Sequence, residues 1–303
     1  MIKKVIAATF AMLLLPAAAS AQTCNAVPNT LTNGTTADAS QVMANFNAIV
    51  ACIGGLRGYI GGLTMSNDAT NPNTVIDTSS GLADSDDSTT MMTLTQAFTK
   101  NANAAWSSGT GNGCLDSNSG SALVANKWYH LFLIENVSSN TVDELCSSYS
   151  ATSPALPSGY TKKRRIGSFK TNASSQIMAF FQNGDQFLWL TPVNDVSTTT
   201  LGTTPTIYPL SVPPGVQVTA LFRTVVTAAA EGEVLINSPS EAPTASDVPI
   251  ANQTAFWAAG SYNTSQASDL TDTNSNVRAV STAANTTLYI TTYGWIDTRG
   301  RFN

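Results

Sequence analysis

Charged side chains make up only 11% of these 303 residues, and acids outnumber bases 19 to 14. A phosphate backbone needs a cationic face, so no nucleic-acid partner is expected. Histidine occurs once, as His130. A Ser-His-Asp site would have to be built on it, yet it sits in an apolar run and no Gly-x-Ser-x-Gly elbow appears. The four cysteines lack the spacing of a zinc site, and neither metal nor other cofactor is expected. After Leu15 no apolar run approaches the roughly 18 residues that would read as a membrane span. Low charge does not mean disorder here, because aromatic and β-branched residues recur along the chain.

The first residues are different. Lys3 and Lys4, the apolar Val5 to Leu15 and the small-x-small Ala19-Ser20-Ala21 make residues 1–21 a secretory signal, removed on export. A chain cut after Ala21 keeps 12 Lys+Arg against 19 Asp+Glu, a formal charge of −7. Export implies a secreted or cell-surface product in an oxidising compartment, where an even number of cysteines pairs. Cys24, Cys52, Cys114 and Cys146 allow three connectivities. Cys24–Cys52 and Cys114–Cys146 are favoured, since each pair lies within one local unit.

Asp38, with Gln41 at the capping-box position, predicts a helix from Ala39 to about Ile53, stopped by Gly54-Gly55. Val42, Phe46, Ile49 and Ile53 are spaced 4-3-4, an a/d seam that Met43 and Val50 widen. So short a helix must bury its seam. It can dock on its own domain or meet copies of itself, which would make residues 22–60 an oligomerisation segment.

From about Thr89 the pattern is almost wholly β. Residues 54–80 read as a connector with one or two short strands. Met91, Leu94 and Phe98 fit either a strand or a helical turn. Lys127 to Glu135 is apolar on both faces and predicts a central strand, with Val142 to Ser148 as its partner. Arg164 to Phe169 is another strand. Asn183-Gly184, between Gln176–Gln182 and Asp185–Leu190, is the strongest hairpin signal. Val216 to Val226, Glu233 to Ile236 and Leu288 to Ile296 follow. Many short strands with frequent turns predict a mainly β protein: an antiparallel β-sandwich or jelly-roll-like domain after a short helix, with residues 61–200 as one β domain and 201–303 as a further β region.

Few residues invite chemistry. Lys162-Lys163-Arg164-Arg165 is the only basic run. In a strand its members alternate faces, so it reads either as a solvated edge or as an arginine fork for carboxylates of an acidic glycan or a neighbouring subunit. Asp84, Asp86 and Asp87 read as a solvated turn more than a calcium loop. Asp116, Glu135, Asp143 and Glu144 are the carboxylates that a glycosidase would need. Trp128, Trp189, Trp257 and Trp295 are core or sugar-stacking candidates. Trp257 and Tyr262, in an Asn/Ser/Thr-rich region, are the surface candidates, so Arg164, Arg165, Trp257 and Tyr262 form the expected ligand-binding set.

The order of motifs from Trp106 to Trp189 resembles the C-terminal domain of tail-fibre proteins of bacteriophages and prophages. The matching residues are Trp106, Gly109-Thr110-Gly111-Asn112-Gly113, Leu115-Asp116, Trp128-Tyr129-His130, Asp143, Leu156-Pro157-Ser158-Gly159-Tyr160, Arg164-Arg165-Ile166-Gly167-Ser168 and Phe180 to Trp189. The stretch from Asn33 to Asn47 is similar to a segment common in phage tail and fibre proteins. The resemblance implies a homotrimeric host-recognition module without enzymatic activity, attached through a cell-surface glycan or receptor. Such relatives usually carry a glycine at the position of Cys114 and an apolar residue at that of Cys146, and paired cysteines there fit neighbouring strands in an exported version. The signal peptide also departs from virion proteins, which assemble inside the cell, and favours a secreted adhesin. A secreted polysaccharide depolymerase and a purely structural appendage subunit are the alternatives. Residues from about 200 onward carry no recognisable motif.

Overall fold

Alternation of apolar and polar side chains carries most of this chain into strands, and one capped heptad carries a short stretch into a helix. The computed structural model describes residues 28–34, 36, 38–53, 58–241 and 253–301, with the side chains of 50–53 left aside. It divides into two units, one ending at Gly55 and one beginning at Leu56. The signal peptide and the Cys24–Cys52 pair lie outside the described residues.

The first unit holds the helix Ala39–Ile53. Asp38 caps it: its Oδ1 accepts from the Ser40 amide at 2.8 Å and the Ser40 hydroxyl at 2.7 Å. Asn45 ties the preceding segment to the helix, accepting from the Asn29 amide and donating to the Asn29 carbonyl. Along the expected seam Val42 is half-buried, while Phe46 and Ile49 are exposed, as is Met43 beside them. The side chain of Ile53 lies outside the described residues.

Among the described residues the second unit forms four sheets, all but one wholly antiparallel. A seven-stranded sheet runs in the order Lys162–Lys170, Trp128–Asn136, Thr141–Ser147, Gly113–Leu115, Phe98–Ala105, Val75–Thr78, Met65–Asn67. A five-stranded sheet runs Phe180–Asn183, Gln186–Leu201, Thr286–Ile296, Thr219–Thr227, Asn263–Leu270. Smaller sheets of three and four strands complete the unit. The central strand Trp128–Asn136 is buried along almost its whole length, as its two apolar faces require. The Asn183-Gly184 turn joins two strands in register, with Gly184 at φ 59°. Met91–Leu94 and Phe98–Ala105 are both strands.

Sandwich-fashion packing rests on aromatics. Trp128 of the seven-stranded sheet meets Trp189 and Trp295 of the five-stranded sheet, with ring centroids 5.8 and 5.6 Å away. Phe187 stacks on Trp295 at 5.1 Å. Such pairs add about 0.5–1.5 kcal/mol each beyond the area they bury. A boundary near residue 200 is therefore corrected: the strand Gln186–Leu201 crosses it and pairs along Thr286–Ile296, so one unit spans both expected β regions.

One strand departs from the antiparallel expectation. Gly113–Leu115 runs parallel to both neighbours. Gly113 is there because the chain passes too close for a side chain: an added Cβ would stand 2.0 Å from the Ala105 carbonyl oxygen. Cys114 and Cys146 form a fully buried disulfide between these neighbouring strands. It closes a loop with a sequence separation of 32. The double substitution C114A/C146A is expected to lower the unfolding free energy by about 3–4 kcal/mol in a denaturant titration, the chain-entropy value for such a loop.

Candidate functional site

The basic run lies on Lys162–Lys170, an edge strand of its sheet as expected, but it is not solvated throughout. Lys162 reaches Asp87 at 2.6 Å, and Lys163 pairs with Asp86. Loop residue Asp86 also donates its amide to the Lys163 carbonyl, covering the strand edge. The two arginines are buried, on a strand whose both faces are covered. Arg165 makes a fork on Asp297, Nη1 to Oδ2 at 2.6 Å and Nη2 to Oδ1 at 2.7 Å. Both its terminal nitrogens are engaged by Asp297, so Arg165 ties the strand to the tail. Arg164 donates Nη2 to the Gly58 carbonyl at 3.1 Å and stands 4.0 Å from Asp86.

Trp257 is a second correction. It belongs to the strand Ala255–Trp257, is 2% exposed, and donates Nε1 to the Ala230 carbonyl at 2.8 Å. Gly232 makes room for it, since a Cβ there would lie 2.8 Å from the indole. Tyr262 is 75% exposed, just before the strand Asn263–Leu270. Thus the four expected ligand residues do not form one site: Arg164 and Arg165 share a buried wall, Trp257 is core, and Tyr262 stands apart on the surface.

Of the four candidate carboxylates Asp116 and Asp143 are engaged, while Glu135 and Glu144 are buried with oxygens that complete no hydrogen bond. Asp116 anchors a turn, accepting from the Ser119 hydroxyl and the Ala155 amide. Asp143 pairs with Lys100 at 2.7 Å, both buried, and accepts from the Gly109 amide at 2.7 Å. Lys100 in turn donates to the carbonyls of Ser107 and Gly109. Together they clasp the Gly109–Gly113 loop, where Gly109 and Gly111 have φ of 98° and 77°. His130 is buried, with Nδ1 2.9 Å from the Ser168 hydroxyl. Burial pushes its pKa down to about 3, Arg165 adding to the effect and Asp297 opposing it. The imidazole is held neutral beside the fully buried Ser168, at the wall of a shallow cavity that Trp128, Tyr149 and Pro214 also line. Among the described residues no group of three His, Cys, Asp or Glu is placed to hold a metal, and no helix is long and apolar enough to cross a membrane.

The exposed polar feature that sequence reasoning missed is the outer face of the five-stranded sheet. Register aligns Thr291, Arg223 and Gln266 across three strands. The Arg223 guanidinium lies 4.8 Å from the Tyr293 ring, and Gln266 donates to the Tyr293 hydroxyl at 2.7 Å. A groove of about 490 Å³ opens here, lined by Arg223, Val225, Thr264, Gln266 and Thr291 among others. Tyr289 lies one alternation away on the same strand as Thr291. Only the register brings these residues together, and no local motif signals it. The chain matches no family model, and a search of curated proteins gives no match.

Two predictions follow from the buried charges. Glu144 is fully buried, and neither its carboxyl oxygens nor the nearby Thr78 hydroxyl completes a hydrogen bond. Burial pushes its pKa up to about 8 from an ordinary 4.5, with Lys100 pulling the other way and Asp143 and Asp77 adding to the rise. The folded state therefore holds a proton that the unfolded chain releases, and stability falls as pH rises from about 4.5 to about 8. In Glu144→Gln that fall should vanish from a series of thermal melts, leaving the variant more stable than the parent above about pH 8. Asp297→Asn should cost about 3–5 kcal/mol by denaturant titration, because it strands the buried Arg165 charge.

Proposed function

We propose that the protein is an exported, non-enzymatic attachment protein of the tail-fibre type, which binds a cell-surface glycan or receptor and does so as a homotrimer. The observation that carries this reading is the outer sheet face, where Arg223, Tyr293, Gln266 and Thr291 present an aromatic ring, a guanidinium, an amide and a hydroxyl together. Aromatic rings offer a flat apolar surface to a sugar, and the amide and hydroxyl offer the directional bonds its hydroxyls need. The exposed Tyr262 and Tyr289 extend the same chemistry. The buried and paired state of His130, Asp116 and Asp143 supports binding over hydrolysis. Self-association is supported by the exposed Met43, Phe46 and Ile49 of the helix, which leave an apolar stripe for copies of the same helix. Three copies would raise weak single-site binding by avidity.

A glycan array probed with the exported protein should show binding to a restricted set of sugars. Tyr293→Ala and Arg223→Ala should each weaken it by at least about tenfold, the size of an ordinary hot-spot truncation. Light scattering should give three times the chain mass, falling to one in Phe46→Asp. A monomeric parent, or an array signal untouched by both sheet-face substitutions, would remove the reading.

A further inference from the structure

The chain has seven arginines, and four gather at one place in an otherwise acidic protein. Arg164, Arg165 and Arg299 line a cavity of about 690 Å³, within the range of about 300–1,000 Å³ usual for small-ligand pockets. Arg301 stands beside Arg299, sharing Asp185 with it. Arg165 is saturated by Asp297, but the other two are not. Arg164 is 5% exposed; its Nε has no acceptor and its Nη1 comes no nearer than 4.0 Å to Asp86. Arg299 is 2% exposed; its Nη2 reaches Asp185 at 2.8 Å, while Nε and Nη1 have no acceptor among the described residues.

Among the described residues countercharge is short at this point. Asp86 is already engaged by Lys163, and Asp84 takes the Gly58 amide on Oδ2. Among the described residues five cations, Lys163 with the four arginines, face four carboxylates, Asp84, Asp86, Asp185 and Asp297. Burial lowers the pKa of Arg164, with Asp86 and Asp84 opposing and Arg165 and Arg299 adding to the shift. A guanidinium with unmade bonds in a partly desolvated wall binds a planar carboxylate better than a neutral group. The remaining wall is mixed: Val216, Leu270 and Ile296 are apolar, and Gln217 and Thr273 offer an amide and a hydroxyl. That suits a ring with an apolar face and hydroxyl edges.

We propose that this cavity binds the carboxylate of an acidic, uronate-type sugar, with Arg164 and Arg299 on the carboxylate and the ring against Val216, Leu270 and Ile296. The site is separate from the outer sheet face and does not depend on it. Titration calorimetry on the full exported chain tests it, with D-glucuronate, D-glucose and sodium sulfate as probes. Glucuronate should bind at least about tenfold more tightly than glucose, and sulfate should compete poorly. Arg164→Gln should weaken glucuronate at least about tenfold. Leu270→Trp, which obstructs the cavity and leaves every arginine in place, should do the same with an unchanged thermal midpoint. Equal binding of glucose, glucuronate binding that survives Leu270→Trp, no binding up to tens of millimolar, or sulfate displacing glucuronate would each overturn the proposal. Loss of array binding in Tyr293→Ala with glucuronate binding intact would separate the two sites.

Discussion

The fork between Arg165 and Asp297 is the constraint around which the β unit is arranged. Arg165 sits on the edge strand of the seven-stranded sheet, and Asp297 directly follows the last strand of the five-stranded sheet, 132 residues later. Neither charge survives burial alone, since the penalty for an isolated buried ion far exceeds what nearby dipoles return. A strand from the middle of the unit and its C-terminal tail must therefore meet, and in one orientation, because a planar fork tolerates little rotation. Burial of a pair contributes little net stability against an apolar alternative, so its effect is mainly one of position. Ser168 shares a donor from Arg165 and touches His130, so the central strand is tied to the same point.

Scarcity of charge gives each buried pair a distinct place. Lys100 and Asp143 hold a glycine loop, Arg165 and Asp297 join strand to tail, and Arg299 with Asp185 fixes the tail beyond. With these charges inside, much of the outer surface is left to hydroxyls, amides and single aromatics. Such a surface offers modest directional contacts, and under the proposed trimer repetition would add more to binding than any one contact. The buried Glu144 runs against this economy, since its carboxyl has no bond to repay its desolvation.

What could be read from the sequence followed the strength of alternation. The helix, the doubly apolar strand Trp128–Asn136, the Asn183-Gly184 hairpin and the Cys114–Cys146 pair all carry local signals, and all are present. The strand Asn263–Leu270 carries almost none, because an edge strand of Ser, Thr, Asn and Gln needs only its register to pair. Trp257 was misplaced for a related reason: its neighbours are polar, and the space that buries it is made by Gly232, on a different strand. Arg164 and Arg165 alternate in sequence, yet both are buried because loops and tail cover opposite faces of one strand, which no window of residues reveals. Pairing partners a hundred residues apart, and the boundary near 200 that they abolish, are beyond any local pattern.

The motif residues themselves suggest where specificity would reside. Trp106 donates to the Glu144 carbonyl and packs on Tyr160 at 5.4 Å, Asp143 holds the Gly109 loop, and Arg165 holds the tail. Each of these serves the scaffold. The groove at Arg223, Gln266 and Thr291, and most of the cavity wall opposite Arg164, come instead from residues after 200, which carry no motif. A fold fixed by one set of residues and a surface supplied by another can change its ligand without changing its core. If the proposed attachment role holds, the residues from Trp106 to Trp189 set the scaffold, and ligand choice rests with residues after 200.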